Sequence, residues 1–156
     1  MDRRQLLVLG GGLALNHWAS AHHGWSSFDQ GRPIYLEGKA TKVVWRNPHA
    51  ELDLQVVPDL KLPADLAQRP VPAQSAAVDG AALLKSAVLP TRKDKVWHVE
   101  LSPLTRLEAW KVPEIKVGDT LSLVGFTFAG EKGEPVLRVE YLYAGGKAYG
   151  LRSSPA

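Results

Sequence analysis

The chain has 156 residues, a length that fits one domain with a single hydrophobic core. It contains no cysteine, which excludes disulfides, thiolate metal sites, cysteine nucleophiles and covalent haem attachment. The formal net charge is only +3, too small to indicate a polyanion-binding protein, so we expect no nucleic-acid partner.

The first 21 residues have the pattern of a removable export signal. Arg3 and Arg4 precede an apolar segment over residues 6–15, and Ala19 and Ala21 supply the A-x-A arrangement that signal peptidase recognises. The apolar segment has about ten residues, too few to span a bilayer, so we expect no stable membrane insertion after cleavage. The paired arginines favour the bacterial twin-arginine route over the Sec route, which predicts a periplasmic protein.

The mature chain, residues 22–156, begins with two strand patterns. They cover residues 33–45 and 49–57, with Asn47 and Pro48 forming the turn between them and Gly38 indicating a bend in the first strand. Residues 58–95 contain five prolines and many alanines. This composition predicts a surface insertion with one short helix near residues 80–87.

Three more strand patterns follow the insertion, over residues 96–102, 120–128 and 135–144. A helical or irregular crossing precedes the fourth strand, a glycine-rich hairpin joins the last two strands, and the tail after residue 144 is predicted to be a loop. Five short strands with a bent first strand are typical of a small, mainly β, OB-like partly open barrel. A β-sandwich made of the same strands is the alternative.

Four residues are candidate metal ligands, namely His22, His23, His49 and Glu51. Cleavage after Ala21 would give His22 a free α-amino group beside its own imidazole and that of His23. These nitrogens become neutral donors close to neutral pH, and such a nitrogen set suits Cu(II). The arrangement resembles the histidine brace of copper-dependent polysaccharide monooxygenases and of some periplasmic copper-binding proteins.

His49 is the expected second histidine of this copper site. It begins the second strand, at the end of the barrel where OB-like folds tend to hold ligands. Glu51 and Asp53 follow on the polar face of the same strand and could act as oxygen ligands or as outer partners. The alternative is that His49 only caps its turn through a side-chain to backbone hydrogen bond.

His98 is expected to take no part in the site. If the strands over residues 49–57 and 96–102 pair antiparallel from Val57 opposite Val96, His98 lies opposite about Gln55. That position is roughly 20 Å from His49 along the strand, too far for a shared metal ion.

Three segments resemble a family of small exported bacterial proteins of unknown function that share an Asn-Pro-His-Ala motif. The segments are HHGWSSFD, WRNPHAELDLQV and EYLYAGGKAYGLRSSPA, and residues 58–95 depart from the likeness. The resemblance implies export and a compact β domain. It implies no activity and no catalytic residue.

Two functions from different classes fit these features. The first is an exported protein that handles a metal ion, with copper favoured and another periplasmic protein as a further partner. The second is a metal-free module that holds a small ligand or a protein on the barrel face with Trp25, Trp45 and Trp110. No Ser-His-Asp arrangement or paired-carboxylate motif is recognisable, so an enzyme would have to be a copper oxidase or monooxygenase, and we expect a non-enzymatic role.

Overall fold

A computed structural model describes residues 23–156; the predicted signal segment and His22 lie outside the described residues. The strands are β1 Ile34–Val44, β2 Glu51–Val56, β3 Val96–Glu100, β4 Thr120–Phe126, β5 Val136–Ala144 and β6 Lys147–Gly150. The α-helices are α1 Gly80–Ser86 and α2 Leu104–Ala109, and short 3-10 turns cover Trp25–Ser27, Leu66–Gln68 and Ala129–Glu131. No helix in this described part is long and apolar enough to cross a membrane.

Five of the strands form a closed barrel. The order is β3-β2-β1-β4-β5, with antiparallel neighbours, and β5 returns to pair parallel with β3. Helix α2 lies between β3 and β4 in the chain, as the sequence predicted. The predicted five-stranded OB-like barrel is therefore confirmed, with the difference that the β3–β5 pairing closes the ring instead of leaving it partly open.

Strand β1 contributes to two sides of the ring because it bends. Its first half pairs with β4 and its second half with β2. Gly38 lies at the overlap, where an added Cβ would collide with the backbone carbonyl of Gln55 on β2. A register shift between Ala40 and Lys42 marks a β-bulge just beyond it. The bend predicted from Gly38 is confirmed.

The tail after residue 144 is not the loop that the sequence predicted. Gly145 and Gly146 have φ values of 57° and 76°, and β6 follows them and pairs with β5. Consecutive glycines favour a two-residue hairpin because both central positions of a type I′ turn need positive φ. The Gly-Gly pair between two strand-like runs was the signal for this sixth strand.

The barrel interior holds the main core. Its members alternate along the strands with outward-facing residues, as a half-buried sheet requires. The largest fully buried side chains in this core are Trp97, Ile34, Leu36, Leu52, Leu54, Leu101, Leu107 and Leu121.

Two smaller apolar clusters cover parts of the outer barrel surface. In the insertion cluster, side chains of residues 58–95 pack on the outer faces of β1, β4 and β5; its buried members are Leu66, Leu84, Ala87, Tyr35, Val124 and Tyr141. In the N-terminal cluster, Phe28 packs with Phe126 and Val136. The insertion is therefore packed against the barrel along its length instead of projecting into solvent.

The insertion has the one short helix that the sequence predicted. The Asp79 carboxylate accepts the Ala82 N–H at 3.0 Å and so caps the start of α1. Farther upstream, Gln74 forms an isolated bridge with Pro155, and the Ser75 N–H donates to the Ser154 carbonyl at 2.9 Å. These bonds fasten the insertion to the last residues of the chain.

Candidate functional site

Glu51, one of the candidate ligands, lies on the outer, polar face of the β2–β3 pair. Leu52 and Leu54 point into the barrel core, so their neighbours Glu51 and Asp53 point outward. The strict alternation of polar and apolar residues in this strand is what predicted that arrangement.

Cross-strand pairing brings further charged side chains onto this face. Glu51 lies opposite Glu100, and Asp53 lies opposite His98. We call these four residues the carboxylate strip. On the other side of β3, Glu100 pairs with Arg138 of β5.

His98 is closer to His49 than the sequence argument allowed. His98 Nδ1 lies 3.2 Å from Asp53 Oδ1, and His98 Nε2 lies 3.5 Å from Glu51 Oε2. The other oxygen of Glu51 lies 3.5 Å from His49 Nδ1. Both imidazoles contact the same carboxylate, so the expected separation of roughly 20 Å is wrong.

The error came from the pairing register. Gln55, the expected partner of His98, pairs with Val96, so the true register differs by two residues. The Val57 N–H, which was expected opposite Val96, donates to the Glu37 carbonyl on β1 at 3.0 Å. A tight turn fixes the register of a hairpin, whereas the long insertion between β2 and β3 does not.

His49 is placed by the loop that precedes β2. Asn47 Oδ1 accepts the Leu104 N–H at 3.2 Å and ties the loop to the start of α2, and the Asn47–Pro48 peptide bond is cis. The His49 side chain is 10% exposed, with Nδ1 facing the Glu51 carboxylate. The loop therefore holds the imidazole at the edge of the carboxylate strip.

His23 reaches the same strip from the N-terminal segment. Its Nδ1 lies 3.0 Å from Glu100 Oε1. Its ring packs edge-on against Phe28 at 5.9 Å and Phe128 at 5.1 Å between ring centroids. The direct partner of His23 is Glu100, not His49, so the two candidate imidazoles are linked through the Glu51–Glu100 pair.

Glu100 is the site residue that the sequence reasoning missed. It follows His98 by two positions in an alternating strand, and this spacing already placed both residues on the outer face. What the sequence did not contain was the docking of the N-terminal segment over β3.

Aromatic packing fastens that segment to the barrel. Two guanidinium groups stack on the Trp25 ring, with Arg138 at 4.9 Å and Arg152 at 3.9 Å from its centroid. Phe28 stacks on Phe128 at 5.1 Å with an interplanar angle of 10°. These contacts position the backbone two residues from His23.

The tryptophans named for the metal-free alternative serve different parts of the structure. Trp25 lies in the guanidinium stack, whereas Trp45 and Trp110 pack against the barrel core. Trp110 Nε1 also donates to the Ser153 carbonyl at 2.8 Å. The three rings therefore help to hold the fold together.

Glu100 and Arg138 form a buried charged pair behind His23. Their residues are 3% and 6% exposed, and an Arg138 guanidinium nitrogen lies 3.6 Å from Glu100 Oε2. Burial lowers the pKa of Arg138, an effect that the neighbouring Glu100 charge opposes. Within residues 23–156, Glu100 Oε2 and Arg138 Nε make no hydrogen bond. Buried polar atoms without a hydrogen bond are uncommon in folded proteins.

The described residues do not by themselves form a metal centre. Within residues 23–156, no three His, Asp or Glu side chains are arranged to hold a metal ion. A metal bound at the carboxylate strip would need a donor from outside this range, and the predicted donor is His22.

Two cavities lie beside the β5–β6 hairpin, and their lining does not include His23, His49 or Glu51. Their volumes are about 400 and 480 Å³, and Lys147 lines both. Arg69 lines the first, where it stacks on Tyr143 at 5.4 Å. Burial raises the pKa of Tyr143 to about 12.

Comparison with known proteins finds a similarity to a protein family. A model of a family of unknown function (DUF6152) matches residues 12–61. This segment is less than half of the chain, and it contains all four candidate ligands, His22, His23, His49 and Glu51. No curated protein and no solved structure gives a significant match.

Proposed function

We propose that this chain is an exported periplasmic protein that binds a metal ion, with copper favoured, through His22, His23 and His49. Glu51 serves as an oxygen ligand or as an outer partner. The observation that supports this most is the 3.0 Å contact between His23 and Glu100, because it fixes the N-terminal segment on the carboxylate strip.

Cross-strand pairing places the carboxylate that contacts His23 beside the carboxylate that contacts His49. Directly opposed residues have Cβ atoms about 4.5–5.5 Å apart, so Glu51 and Glu100 are close neighbours. One contacts the imidazole of His49 and the other that of His23. Two candidate ligands that are 26 positions apart in the sequence are thus held on adjacent carboxylates.

The chemistry proposed for the ion uses nitrogen donors. The α-amino group and imidazole of His22 would chelate one ion, and a further imidazole would complete a nitrogen set suited to Cu(II). Because residues 23–156 offer no complete donor set, the proposal depends on His22 being the first residue of the mature protein. The proposed role is handling or delivery of the ion to another periplasmic protein.

A Cu(II) titration of the processed protein tests the site. We expect an added alanine before His22, or His49→Ala, to weaken affinity at least tenfold, or about 1.4 kcal/mol. His98→Gln is the matched control, since it removes an imidazole from the same strip without removing a proposed ligand. Unchanged affinity in either test variant would reject the site. A chelator that competes with the protein for Cu(II) keeps the affinity within the range that the titration can resolve.

The export part of the proposal has a separate test. The intact mass of the protein, purified from the periplasm under native conditions, reports the cleavage point and any bound ion together. A mature chain that begins at His22 supports the proposal. Any other first residue would remove the amine donor and with it the proposed nitrogen set.

A metal-free binding module is the second candidate. The two cavities beside the β5–β6 hairpin favour it, because they offer an arginine and a lysine to a small ligand. Tryptophan fluorescence that responds to a panel of small ligands but not to metal ions would support this function over copper binding.

A further inference from the structure

We propose that Glu100 is a positioning residue that sets which ring nitrogen of His23 meets the metal ion, so that His23 binds through Nε2. This inference rests on the proposed function. It adds to that function a residue whose side chain does not itself need to touch the metal.

Hydrogen-bond chemistry assigns the nitrogen. An ionised carboxylate can only accept, so the 3.0 Å contact requires His23 Nδ1 to carry the proton and donate it to Glu100 Oε1. In the neutral imidazole the lone pair then lies on Nε2. Histidines that bind metals commonly donate their other ring N–H to a carboxylate, which fixes both the tautomer and the ring orientation.

The surroundings of Glu100 make it a firm support. The residue is 3% exposed on β3, a strand that is paired on both sides, by β2 and by β5. Arg138 lies 3.6 Å from its second oxygen. The His23 ring is in turn held edge-on by Phe28 and Phe128. The barrel, and not only the terminal segment, therefore aims Nε2.

A longer contact of the same kind of groups lies one strand away, at His49. Its Nδ1 lies 3.5 Å from Glu51 Oε1, and His98 Nε2 lies 3.5 Å from the other oxygen of Glu51. The opposed pair Glu51 and Glu100 therefore faces the same ring nitrogen of two imidazoles.

Nitrogen NMR measures the tautomer directly. The processed protein, with ¹⁵N-labelled histidine, is studied by long-range ¹H–¹⁵N correlation at a pH well above the ordinary imidazole pKa of about 6.5. His23→Gln assigns the signals. We expect His23 in the Nδ1–H form without metal, and addition of diamagnetic Cu(I) to shift the Nε2 resonance.

Variants separate positioning from packing. Glu100→Leu removes the acceptor, so His23 should lose the Nδ1–H form, whereas Glu100→Gln keeps an acceptor oxygen and should retain it. Glu131→Gln is the control, because that carboxylate is also largely shielded, with a side chain 6% exposed, but contacts Arg32 and Thr91 instead of His23. If Glu100→Leu does not fold, the tautomer of His23 in the wild type and in Glu100→Gln still tests the proposal.

The outcomes distinguish the two proposals. An Nε2–H form of His23 in the metal-free protein, or a copper shift at Nδ1, overturns the role of Glu100 while leaving copper binding intact. An Nδ1–H form, together with a Cu(II) affinity that the alanine added before His22 does not weaken, overturns the proposed function, and the role of Glu100 toward a metal falls with it.

Discussion

Replacing Arg152 by methionine tests how strongly one buried ion pair stabilises the fold. Glu140 on β5 is fully buried, and its Oε2 accepts from Arg152 at 2.9 and 2.6 Å. Gln74 donates to its other oxygen at 3.1 Å. Methionine retains the apolar stem of arginine, so the substitution mainly removes the cation and leaves the carboxylate buried.

The expected loss is large because a buried charge without its partner costs about 3–5 kcal/mol. The Arg152 side chain is 23% exposed, so water offsets part of this loss, and we expect a decrease of about 3 kcal/mol in the free energy of unfolding. For a chain of this size that corresponds to a melting temperature roughly 6–12 °C lower.

Urea unfolding followed by far-UV circular dichroism gives the free energy, and Arg69→Met is the matched control. Arg69 also stacks on an aromatic ring. Its ion-pair partner Asp65, however, has a side chain that is 70% exposed, and an Arg69 guanidinium nitrogen lies 3.5 Å from the Asp65 carboxylate. We expect this control to cost less than about 1 kcal/mol. Equal losses in the two variants would refute the argument that burial of the Glu140 carboxylate sets the energy.

Three further predictions concern the backbone and two titrating groups. Gly38→Ala should destabilise the protein by at least about 2 kcal/mol in the same urea assay, because the new methyl group would collide with the Gln55 carbonyl; a loss under about 0.5 kcal/mol would contradict that close approach. Burial opposes the Glu131 charge, but hydrogen bonds from Thr91 and its neighbours outweigh it and lower the pKa of Glu131 below 4.5. The resulting stability is present above pH 4.5 and is lost as the pH falls through the folded-state pKa, so urea midpoints of Glu131→Gln should fall less steeply in acid than those of the parent. Burial raises the pKa of Tyr143 to about 12. An ultraviolet titration should therefore show a phenol that ionises near pH 12 and is missing in Tyr143→Phe. Because the folded protein favours the neutral phenol, the stability that this group contributes is lost as the pH rises from 10 to 12.

The strands could be predicted wherever the chain alternates cleanly. In β2, apolar Leu52 and Leu54 alternate with polar Glu51 and Asp53. The structure has one buried and one polar face on this strand, as the alternation predicts. Strand β6 was missed because it is short and begins after two glycines, which were interpreted as part of a loop. The glycine pair carried the hairpin signal, but composition alone did not reveal a partner for the strand.

The candidate site could be predicted only in part. Local spacing placed Glu51 beside His49, and both stay together in the structure. The position of His98 depended on the register across a long insertion, which no local rule determines. The role of Glu100 depended on docking of the N-terminal segment, a contact between residues 77 positions apart. The strand register and the docking of the N-terminal segment depend on tertiary packing and not on residues that are neighbours in the sequence.

The insertion cluster and the N-terminal cluster give the barrel a covered side and an open side. Together they pack on Tyr35 of β1, on Val124 and Phe126 of β4, and on Val136 and Tyr141 of β5. On the β2–β3 side, the side chains of Asp53 and His98 each remain 34% exposed. An ion that reaches the proposed site would therefore approach from the β2–β3 side, where the described residues leave the carboxylate strip partly exposed.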